Sequence, residues 1–173
     1  MRSITIQLSA DSCQDALRAL EEYQKDIEKK TEEVCKRLAQ YGATQAHMYF
    51  ANALYDGIRD NHISAEQREN GWAIVASGKT VFFIEFGAGV YYPNNHPKAG
   101  ELGIAHGTYG RGLGRNPYWF YTGQPDNAGG ELAYGHTNST ITHGNPANMP
   151  MYKTEKDIRE EVTRVVKEVF GAQ

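Results

Sequence analysis

The stretch HTNSTITHGNPANMPMY, from His136 to Tyr152, decides how the two ends of this chain are joined. Its first half, TNSTITHG, is rich in β-branched residues and predicts a short strand. Pro146 and Pro150 then predict an extended corner, because proline fixes φ and biases the preceding residue away from the helical region. Met149 and Met151 are expected to anchor this corner in the core. The stretch therefore predicts a clasp between a glycine-rich segment and a folded body.

The segment that follows, YKTEKDIREEVTRVVKEVFG, predicts the C-terminal helix. Thr154 is the expected N-cap, with Asp157 three residues later in a position similar to that of a capping box. Gly171 is expected to end the helix. Apolar residues at helical spacing predict its buried stripe, namely Ile158, Val162, Val165, Val166 and Val169.

The N-terminal third predicts a short strand and a long amphipathic helix. SITIQLS alternates apolar and polar residues, which is typical of a strand. Ser9, Asp11 and Ser12 are candidate N-caps for a helix from about Asp11 to Gln40. Gly42 is expected to end or kink it, and a helical pattern of small and aromatic residues resumes at ATQAHMYFANAL. A coiled coil is the alternative, but polar residues on the apolar seam favour packing against a sheet.

The next part of the chain changes to a period of two. Asn61–Arg68 and Trp72–Ala76 flank Asn70-Gly71, a strong hairpin signal because both residues tolerate positive φ. The run TVFFIEF, which ends before Gly87, is rich in β-branched and aromatic residues and predicts a third strand. These segments predict an antiparallel meander, and the fold class is therefore α+β.

The region between the meander and the clasp is dense in Gly, Pro, Asn and Tyr. A structureless loop of this length inside a compact domain is uncommon, so strands are expected at YWFYTG and TNSTITHG. We predict one domain over residues 1–173, with a body formed by 1–87 and 140–173. The segment from about 88 to 139, called the excursion below, is expected to project from this body and to carry a small hairpin.

Charge and cysteine content exclude some classes of protein. The net charge of −3 and the pI near 6.1 lack the basic surface of a dedicated nucleic-acid binder. Cys13 and Cys35 would lie ~33 Å apart on one straight helix, so a disulfide between them is not expected. Two unpaired cysteines are typical of proteins in the reducing cytosol. We expect neither a signal peptide nor a membrane-spanning segment.

The histidines give a weak signal for a metal or catalytic site. His136 and His143, with His106 or Glu131, are the best candidates. Seven residues of extended strand would separate the first two side chains by ~23 Å and place them on opposite faces. Zinc-binding spacings such as paired CxxC or HExxH are absent. We therefore expect no metal and no cofactor.

Glu85 is a carboxylate inside an apolar segment, FFIEFG. Such a group could be a general acid. It lacks a second carboxylate nearby in sequence, which a paired acid and base would require. A salt bridge, or a cap on backbone N–H groups, is the favoured interpretation.

These motifs, taken in order, resemble a known family. A long N-terminal helix, Glu85-Phe86-Gly87, and a proline-containing corner that opens the last helix are similar to the small neck proteins of long-tailed bacteriophages. These are head–tail joining or tail-completion proteins, often described as minor structural or minor capsid proteins. The resemblance covers about Asp11 to Phe170, with an excursion longer than in compact members. Its motif residues here are Glu85, Phe86, Gly87, Trp119, Pro146, Met149, Pro150 and Met151.

The resemblance implies a virion structural protein rather than an enzyme. It implies a homo-oligomeric ring, sixfold or twelvefold, that contacts neighbouring connector or tail proteins, in the virion neck or, during assembly, in the host cytoplasm. It implies no membrane and no sequence-specific nucleic acid. The alternative is a phage hydrolase, metal-dependent or based on His106, His136, His143 and Glu85. Residues expected to form an interaction arm in the excursion are Tyr91, Tyr92, Tyr109, Arg111, Arg115, Tyr118 and Tyr134.

Overall fold

The computed structural model describes residues 9–89, 92, 95–104 and 117–171. It shows an α+β fold, as predicted, with a long N-terminal helix, a C-terminal helix and antiparallel strands. The predicted strand near the N-terminus lies outside the described residues. In chain order the elements are α1 (Ala10–Ala51), β1 (His62–Arg68), β2 (Gly71–Ser77), α2 (Val81–Phe86), β3 (Trp119–Thr122), β4 (Glu131–Leu132), β5 (Ser139–Thr142) and α3 (Pro150–Gly171).

Helix α1 is longer than the sequence predicts. Ser9 is its N-cap, and its hydroxyl accepts a hydrogen bond from the backbone N–H of Ser12 at 3.3 Å. The helix continues through Gly42, so the predicted end near Gln40 is wrong, whereas the helical pattern predicted after Gly42 is confirmed as far as Ala51. A Cβ at Gly42 would lie 2.3 Å from Cδ1 of Ile74 and 2.6 Å from Cδ1 of Ile158. Gly42 is therefore a point of close packing between elements and not a helix stop.

Helix α3 lies antiparallel to the C-terminal half of α1. The hydroxyl of Tyr49, late in α1, donates to Asp157, early in α3, at 2.8 Å. At the other end, Nζ of Lys30 lies 5.9 Å from the ring centre of Phe170. The N-terminal part of α1, before about residue 27, therefore extends beyond the last described turn of α3.

The start of α3 differs from the prediction. Pro150 is its first residue, and Thr154 lies inside the first turns, where its hydroxyl donates to the carbonyl of Pro150 at 2.8 Å. Thr154 is thus not the N-cap. Proline suits the first helical position because the N–H that it lacks has no intrahelical partner there. Of the predicted stripe, Val165 is buried, Ile158 and Val169 are half-buried, and Val162 and Val166 are each 37% exposed.

Strands β1 and β2 form the predicted hairpin. Their antiparallel register pairs Arg68 with Gly71 across the turn and Ala65 with Ile74 in the middle. Because paired residues share one face of a sheet, Ala65 and Ile74 lie on the same side, which is the side of Ile74 that meets Gly42 of α1. The hairpin therefore packs on α1.

The segment predicted as a third strand is helix α2. The residues Val81, Ile84, Glu85 and Phe86 are buried, whereas Phe82 is 49% exposed. This pattern has helical spacing and does not follow the alternation read from the sequence. The predicted meander is therefore a two-stranded hairpin followed by a short helix.

Asp60 gives the physical reason for this difference. Its carboxylate accepts hydrogen bonds from the backbone N–H groups of Lys79 and Thr80, both at 2.9 Å, and from the Thr80 hydroxyl at 2.7 Å. Free N–H groups at a helix start need such acceptors. The cap comes from 20 residues upstream, so the β propensity of the local sequence is overridden by a contact that the segment itself does not encode.

A second, three-stranded sheet has the order β3-β5-β4 and is antiparallel throughout. The strands predicted at YWFYTG and TNSTITHG are thereby confirmed. Strand β5 spans the predicted boundary between the excursion and the body. Thr140 and Thr142 of β5 are buried, and Phe120 of β3, which pairs with Ile141, is 58% exposed.

The core lies where the C-terminal end of α1 meets α2. Phe50 and Ile84 are fully buried there together with Ala53 and Val81, and Met151 packs against this cluster. Met151 thus anchors the corner before α3 in the core, as predicted. Among the described residues, no helix combines the length and apolar character needed to cross a bilayer.

Candidate functional site

Glu85 joins the end of α2 to the start of α3. Its buried carboxylate accepts hydrogen bonds from the backbone N–H of Met151 at 2.8 Å and of Tyr152 at 3.1 Å. Both donors lie in the first turn of α3, where N–H groups lack intrahelical partners and negative charge is favoured by the helix dipole. Glu85 therefore acts as the cap of a helix that begins 65 residues later.

His96 completes this arrangement. Its Nε2 lies 3.0 Å from Oε1 of Glu85, and its Nδ1 accepts the backbone N–H of Lys98 at 3.2 Å. Because Nδ1 accepts, the neutral ring carries its proton on Nε2 and donates it to Glu85. The ring also contacts Phe86, with 4.4 Å between ring centres. The local sequence does not identify His96 as a site residue, because its partner Glu85 lies 11 residues away.

The corner between β5 and α3 continues the hydrogen bonds of α2. The N–H groups of Asn148 and Met149 donate to the carbonyls of Ile84, at 3.0 Å, and Glu85, at 3.2 Å. Met149 has a φ of 56°, a left-handed conformation that is uncommon for a non-glycine residue. The corner therefore satisfies the last carbonyls of α2 while it turns the chain into α3.

Gly87 is required by the path of the backbone. Its φ of 81° and ψ of 166° fall in a region that is essentially restricted to glycine. A Cβ there would also lie 2.7 Å from the backbone nitrogen of Ala147. Next to it, Ala88 and Asn145 exchange two backbone hydrogen bonds of 2.9 and 3.1 Å. We call Glu85, Gly87, His96, Asn145 and the first turn of α3 the clasp.

A second junction ties the excursion to the end of α1. The buried carboxylate of Asp56 accepts hydrogen bonds from the N–H groups of Asp126 and Ala128, both at 3.1 Å, and from the hydroxyl of Thr142 at 3.2 Å. A Cβ on Gly130 would lie 2.7 Å from Oδ2 of Asp56. This part of the excursion therefore lies against the body.

Arg59 supports the same junction. Its guanidinium donates to the carbonyls of Phe50 and Ala53, both at 2.8 Å, and so caps the C-terminal end of α1. It also pairs with Asp126 at 3.1 Å. The local sequence identifies neither Asp56 nor Arg59 as a site residue, because Asp126, which contacts both, lies 70 and 67 residues away.

The histidines proposed as metal ligands are not brought together in the described chain. His136 is exposed, and His143 is exposed with its Nδ1 3.2 Å from the carbonyl of Pro117. His106 lies outside the described residues. Over the ranges that the structure covers, His, Cys, Asp and Glu side chains form no group of three suited to a metal ion.

The proposed interaction-arm residues have different environments. The hydroxyl of Tyr92 donates to the carbonyl of Ala128 at 3.3 Å, and Tyr134 is fully exposed. Tyr118 is 39% exposed and lies edge-on to Phe120, with 6.0 Å between ring centres. The others lie outside the described residues, namely Tyr91, Tyr109, Arg111 and Arg115. The side chain of Trp119 is also not described.

Large apolar side chains are exposed along the N-terminal part of α1. We call this surface the ridge; it is formed by Leu17, Leu20, Tyr23 and Ile27, which are 60%, 51%, 49% and 38% exposed. They follow helical spacing and lie before the part of α1 that α3 covers. A ridge of this kind has the properties of a surface that another molecule covers.

A half-open pocket of about 440 Å³ lies beside the clasp. Phe82 and Leu102, which are 49% and 58% exposed, contribute apolar walls. Tyr152 and Lys98 also line it, and Glu85 and His96 form part of the wall with their polar atoms engaged in the contacts described above. We call it the clasp pocket.

Comparison with protein-family models, with curated proteins and with solved structures finds no match to this chain. Two kinds of structural feature bear on the function of this protein. The clasp and the Asp56 junction hold the elements together, whereas the ridge, the clasp pocket and the outer face of the three-stranded sheet are accessible to other molecules.

Proposed function

We propose that this protein is a structural component of the neck of a long-tailed phage virion, acting in head–tail joining or tail completion as a homo-oligomeric ring. The observation that carries the proposal is the exposed apolar ridge of α1. Four large apolar side chains are exposed at helical spacing on a projecting helix, which favours an oligomer over a monomer.

The contacts of the motif residues agree with the resemblance to neck proteins. Glu85, Phe86 and Gly87 form one end of the clasp, and the corner from Asn145 to Met151 forms the other. Two short motifs far apart in sequence are thereby parts of a single structural unit. Such coupling gives a physical reason for their occurrence together.

A ring requires two different surfaces on each subunit. The ridge lies at one end of α1, and the clasp pocket lies near its other end, where Met151 packs against Phe50. Leu20 and Phe50 are about 45 Å apart along a straight helix. Two apolar surfaces separated in this way suit a heterologous contact that repeats around a ring.

Strand β3 provides a further means of contact with neighbouring proteins. It lies at one side of the sheet order β3-β5-β4 and pairs with β5. A strand at a sheet edge offers backbone groups to which an extended segment of another protein can add. Phe120 and Tyr118 beside it are exposed aromatic side chains of the kind enriched at interfaces.

Oligomeric state tests the ring directly. Light scattering after size exclusion should give a mass of several subunits, and negative-stain electron microscopy should show closed rings with a central opening. A monomer at every concentration up to the solubility limit would contradict ring assembly.

The role in the neck is tested by genetics. Deleting the gene from the phage or prophage that encodes this chain should leave filled heads and separate tails in the lysate. Expression of the protein from a plasmid should restore joined particles. Complete infectious virions from the deletion strain would overturn the proposed role.

A further inference from the structure

We infer that residues 3–8 of one subunit add as a strand to the edge of β2 in the next subunit of the ring. The inference rests on the proposed ring assembly and names the contact that repeats around it. The donor is the segment SITIQL before α1, and the acceptor is the edge of β2 that faces away from β1. When an extended segment adds to a sheet edge, its backbone hydrogen bonds give affinity and its alternate side chains give specificity.

Strand β2 lacks the features that protect edge strands. Among the described residues, β1 is its one neighbour in the sheet. Its sequence, GWAIVAS, contains neither a charged residue nor a proline, and its pairing with β1 runs through all seven residues without a bulge. Charges, prolines and bulges are the means by which edge strands avoid pairing with other chains, and β1 carries two such charges, Glu66 and Arg68. The edge of β2 is therefore the better template for an added strand.

The space beside this edge is open and suits an uncharged segment. Ile74, Val75 and Ala76 of β2 all line the clasp pocket. Because successive residues of a strand point to opposite faces, a cavity that contacts all three lies along the strand edge. Lys98 and Glu155, which also line the cavity, form an ion pair with each other. An occupant of this space therefore needs no charge of its own.

Helix α3 lies beside the same edge and presents apolar side chains. Ile158 of α3 and Ile74 of β2 both approach Gly42, so α3 lies under the side of β2 that faces α1. Val162 and Val166 follow Ile158 at intervals of four residues and lie on the same side of α3, where each is 37% exposed. A strand added to β2 would extend the sheet over these two valines. The occupant should therefore be apolar on one face.

The segment before α1 has this pattern. Ile4, Ile6 and Leu8 alternate with Ser, Thr and Gln, which gives a strand one apolar and one polar face, and residues 3–8 contain no charge. Ser9, the N-cap of α1, has an extended backbone with φ −137° and ψ 152°. The chain therefore enters α1 from a residue in the conformation of a strand.

This segment cannot reach β2 of its own chain. Six extended residues span ~20 Å. Ile27 lines one cavity together with Trp72, at the start of β2, and lies ~27 Å from Ser9 along a straight helix. Gly42, which Ile74 approaches in the middle of β2, lies ~50 Å from Ser9. The acceptor must therefore belong to another copy. Each subunit gives one strand and receives one, which is a heterologous contact of the kind that closes a ring.

Two variants remove the donor and the acceptor separately. Ile6→Lys places a charge on the apolar face of the donor, and Gln7→Lys places the same charge on its polar face as the matched control. Val162→Glu places a charge beneath the added strand, and Thr163→Glu, at the adjacent exposed position of α3, is its control. Residues 6 and 7 precede α1 and both α3 positions are exposed, so all four variants should melt like the wild type by circular dichroism.

The expected result is asymmetric complementation. Light scattering should show that Ile6→Lys and Val162→Glu are each monomeric and that both controls form wild-type rings. An equimolar mixture of Ile6→Lys and Val162→Glu should give a 1:1 heterodimer. The Val162→Glu chain donates an intact segment to the intact β2 edge of the Ile6→Lys chain, and neither chain offers a second functional contact.

A fluorescent peptide of residues 1–9 identifies the edge that is used. Added to the Ile6→Lys variant, it should bind saturably by fluorescence anisotropy. It should also slow amide hydrogen exchange in β2 and leave β3 unchanged, because β2 gains the new backbone partners. Its affinity for Val162→Glu should be lower by more than about tenfold, since a carboxylate would be buried against the added strand.

Four outcomes would overturn the inference. Rings that persist in both Ile6→Lys and Val162→Glu would place the contact elsewhere and leave ring assembly intact. A dimer of Val162→Glu alone would show that two donor segments pair with each other. Slower exchange in β3 and not in β2 would assign the peptide to the other sheet. A monomeric wild type would contradict the ring itself, so failure of the contact and failure of the proposed function are distinguishable.

Discussion

Glu85 connects three parts of the chain that are remote in sequence. Its carboxylate accepts N–H groups from Met151 and Tyr152 and a ring N–H from His96, and its own carbonyl accepts the N–H of Met149. A carboxylate with several N–H donors and a helix dipole beside it is well stabilised although it is buried. These contacts match the interpretation of Glu85 as a cap on backbone N–H groups.

Removing this carboxylate should weaken the fold. Glu85→Ala leaves two N–H groups of α3 and the His96 ring without their acceptor, and we expect a loss of about 3 kcal/mol in the free energy of unfolding. Glu85→Gln keeps one acceptor oxygen and should lose less, about 1 kcal/mol. Urea denaturation followed by circular dichroism measures both values.

The matched control is Glu101→Ala, because Glu101 is exposed. It should change stability little. Equal stability of Glu85→Ala and Glu101→Ala would show that the clasp does not depend on this cap.

Asp60 predicts an acid-dependent change in stability. The Thr80 hydroxyl, followed by the N–H groups of Lys79 and Thr80, lowers the pKa of Asp60 from 3.8 to about 2. A pKa lower in the folded state than in the unfolded state means that the contribution is complete above about pH 4 and is lost as the pH falls towards 2. Asp60→Asn should therefore flatten the dependence of Tm on pH over this interval.

Thermal melts of the wild type and of Asp60→Asn at several pH values provide the measurement. Asp15→Asn is the control, because Asp15 is exposed on α1 and contacts Arg18 of its own helix. Parallel pH profiles for the wild type and Asp60→Asn would contradict the role of Asp60 as the cap of α2.

At the scale of elements, α1 organises the molecule by contacting both α3 and the β1–β2 hairpin at Gly42. A glycine in a helix interior costs about 1 kcal/mol relative to alanine, so its presence needs a compensating contact. Ile74 from the hairpin and Ile158 from α3 supply it, since their Cδ1 atoms occupy the space of the missing side chain. Three elements therefore meet where a side chain is absent.

A double-mutant cycle tests this packing. Gly42→Ala should destabilise the wild type by about 1 kcal/mol, because the overpacking exceeds the gain in helix propensity. Ile74→Val removes the nearest methyl group, so in that background the same substitution should cost less or become stabilising. Chemical denaturation of the four proteins gives the coupling energy. Additive effects would show that Gly42 does not mediate the contact.

The elements that were predicted correctly are those whose signals are local. Each of these signals is contained in the sequence of the element that it predicts. They are the apolar periodicity of α1, the Asn70-Gly71 turn of the hairpin and the apolar spacing of α3. The predictions for α2 and for the start of α3 are wrong because Asp60 and Glu85, which cap these helices, lie 20 and 66 residues away. The roles of His96 and Asp56 cannot be predicted from their local sequence for the same reason. Periodicity within a segment does not reveal a distant cap.

At the scale of the whole molecule, Asp56 is one of the side chains that connect the three-stranded sheet to the end of α1. The β1–β2 hairpin packs on α1, and the three-stranded sheet reaches the end of α1 through the hydrogen bonds of Asp56 with Asp126, Ala128 and Thr142. Removing the hydrogen-bond donors of a buried carboxylate lowers the free energy of unfolding. Removing the carboxylate from its buried donors lowers it as well. Asp56 shares this attachment with Arg59, which pairs with Asp126, and with Asn127, whose side chain bonds the backbone of Tyr55 and Ala53.

We expect Asp56→Ala to release the three-stranded sheet while leaving the two long helices folded. Hydrogen exchange should show faster exchange in β3 and β5, and unchanged protection in α1 around Phe50 and in α3 around Val165, because local opening follows the contacts that are lost. Asp126→Ala is the matched variant. It removes the partner of Arg59 but keeps the backbone N–H that binds Asp56, so its effect should be smaller. Loss of protection in all elements together would mean that the sheet and the helices unfold as one cooperative unit, and unchanged protection in β3 and β5 would mean that other contacts hold the sheet in place.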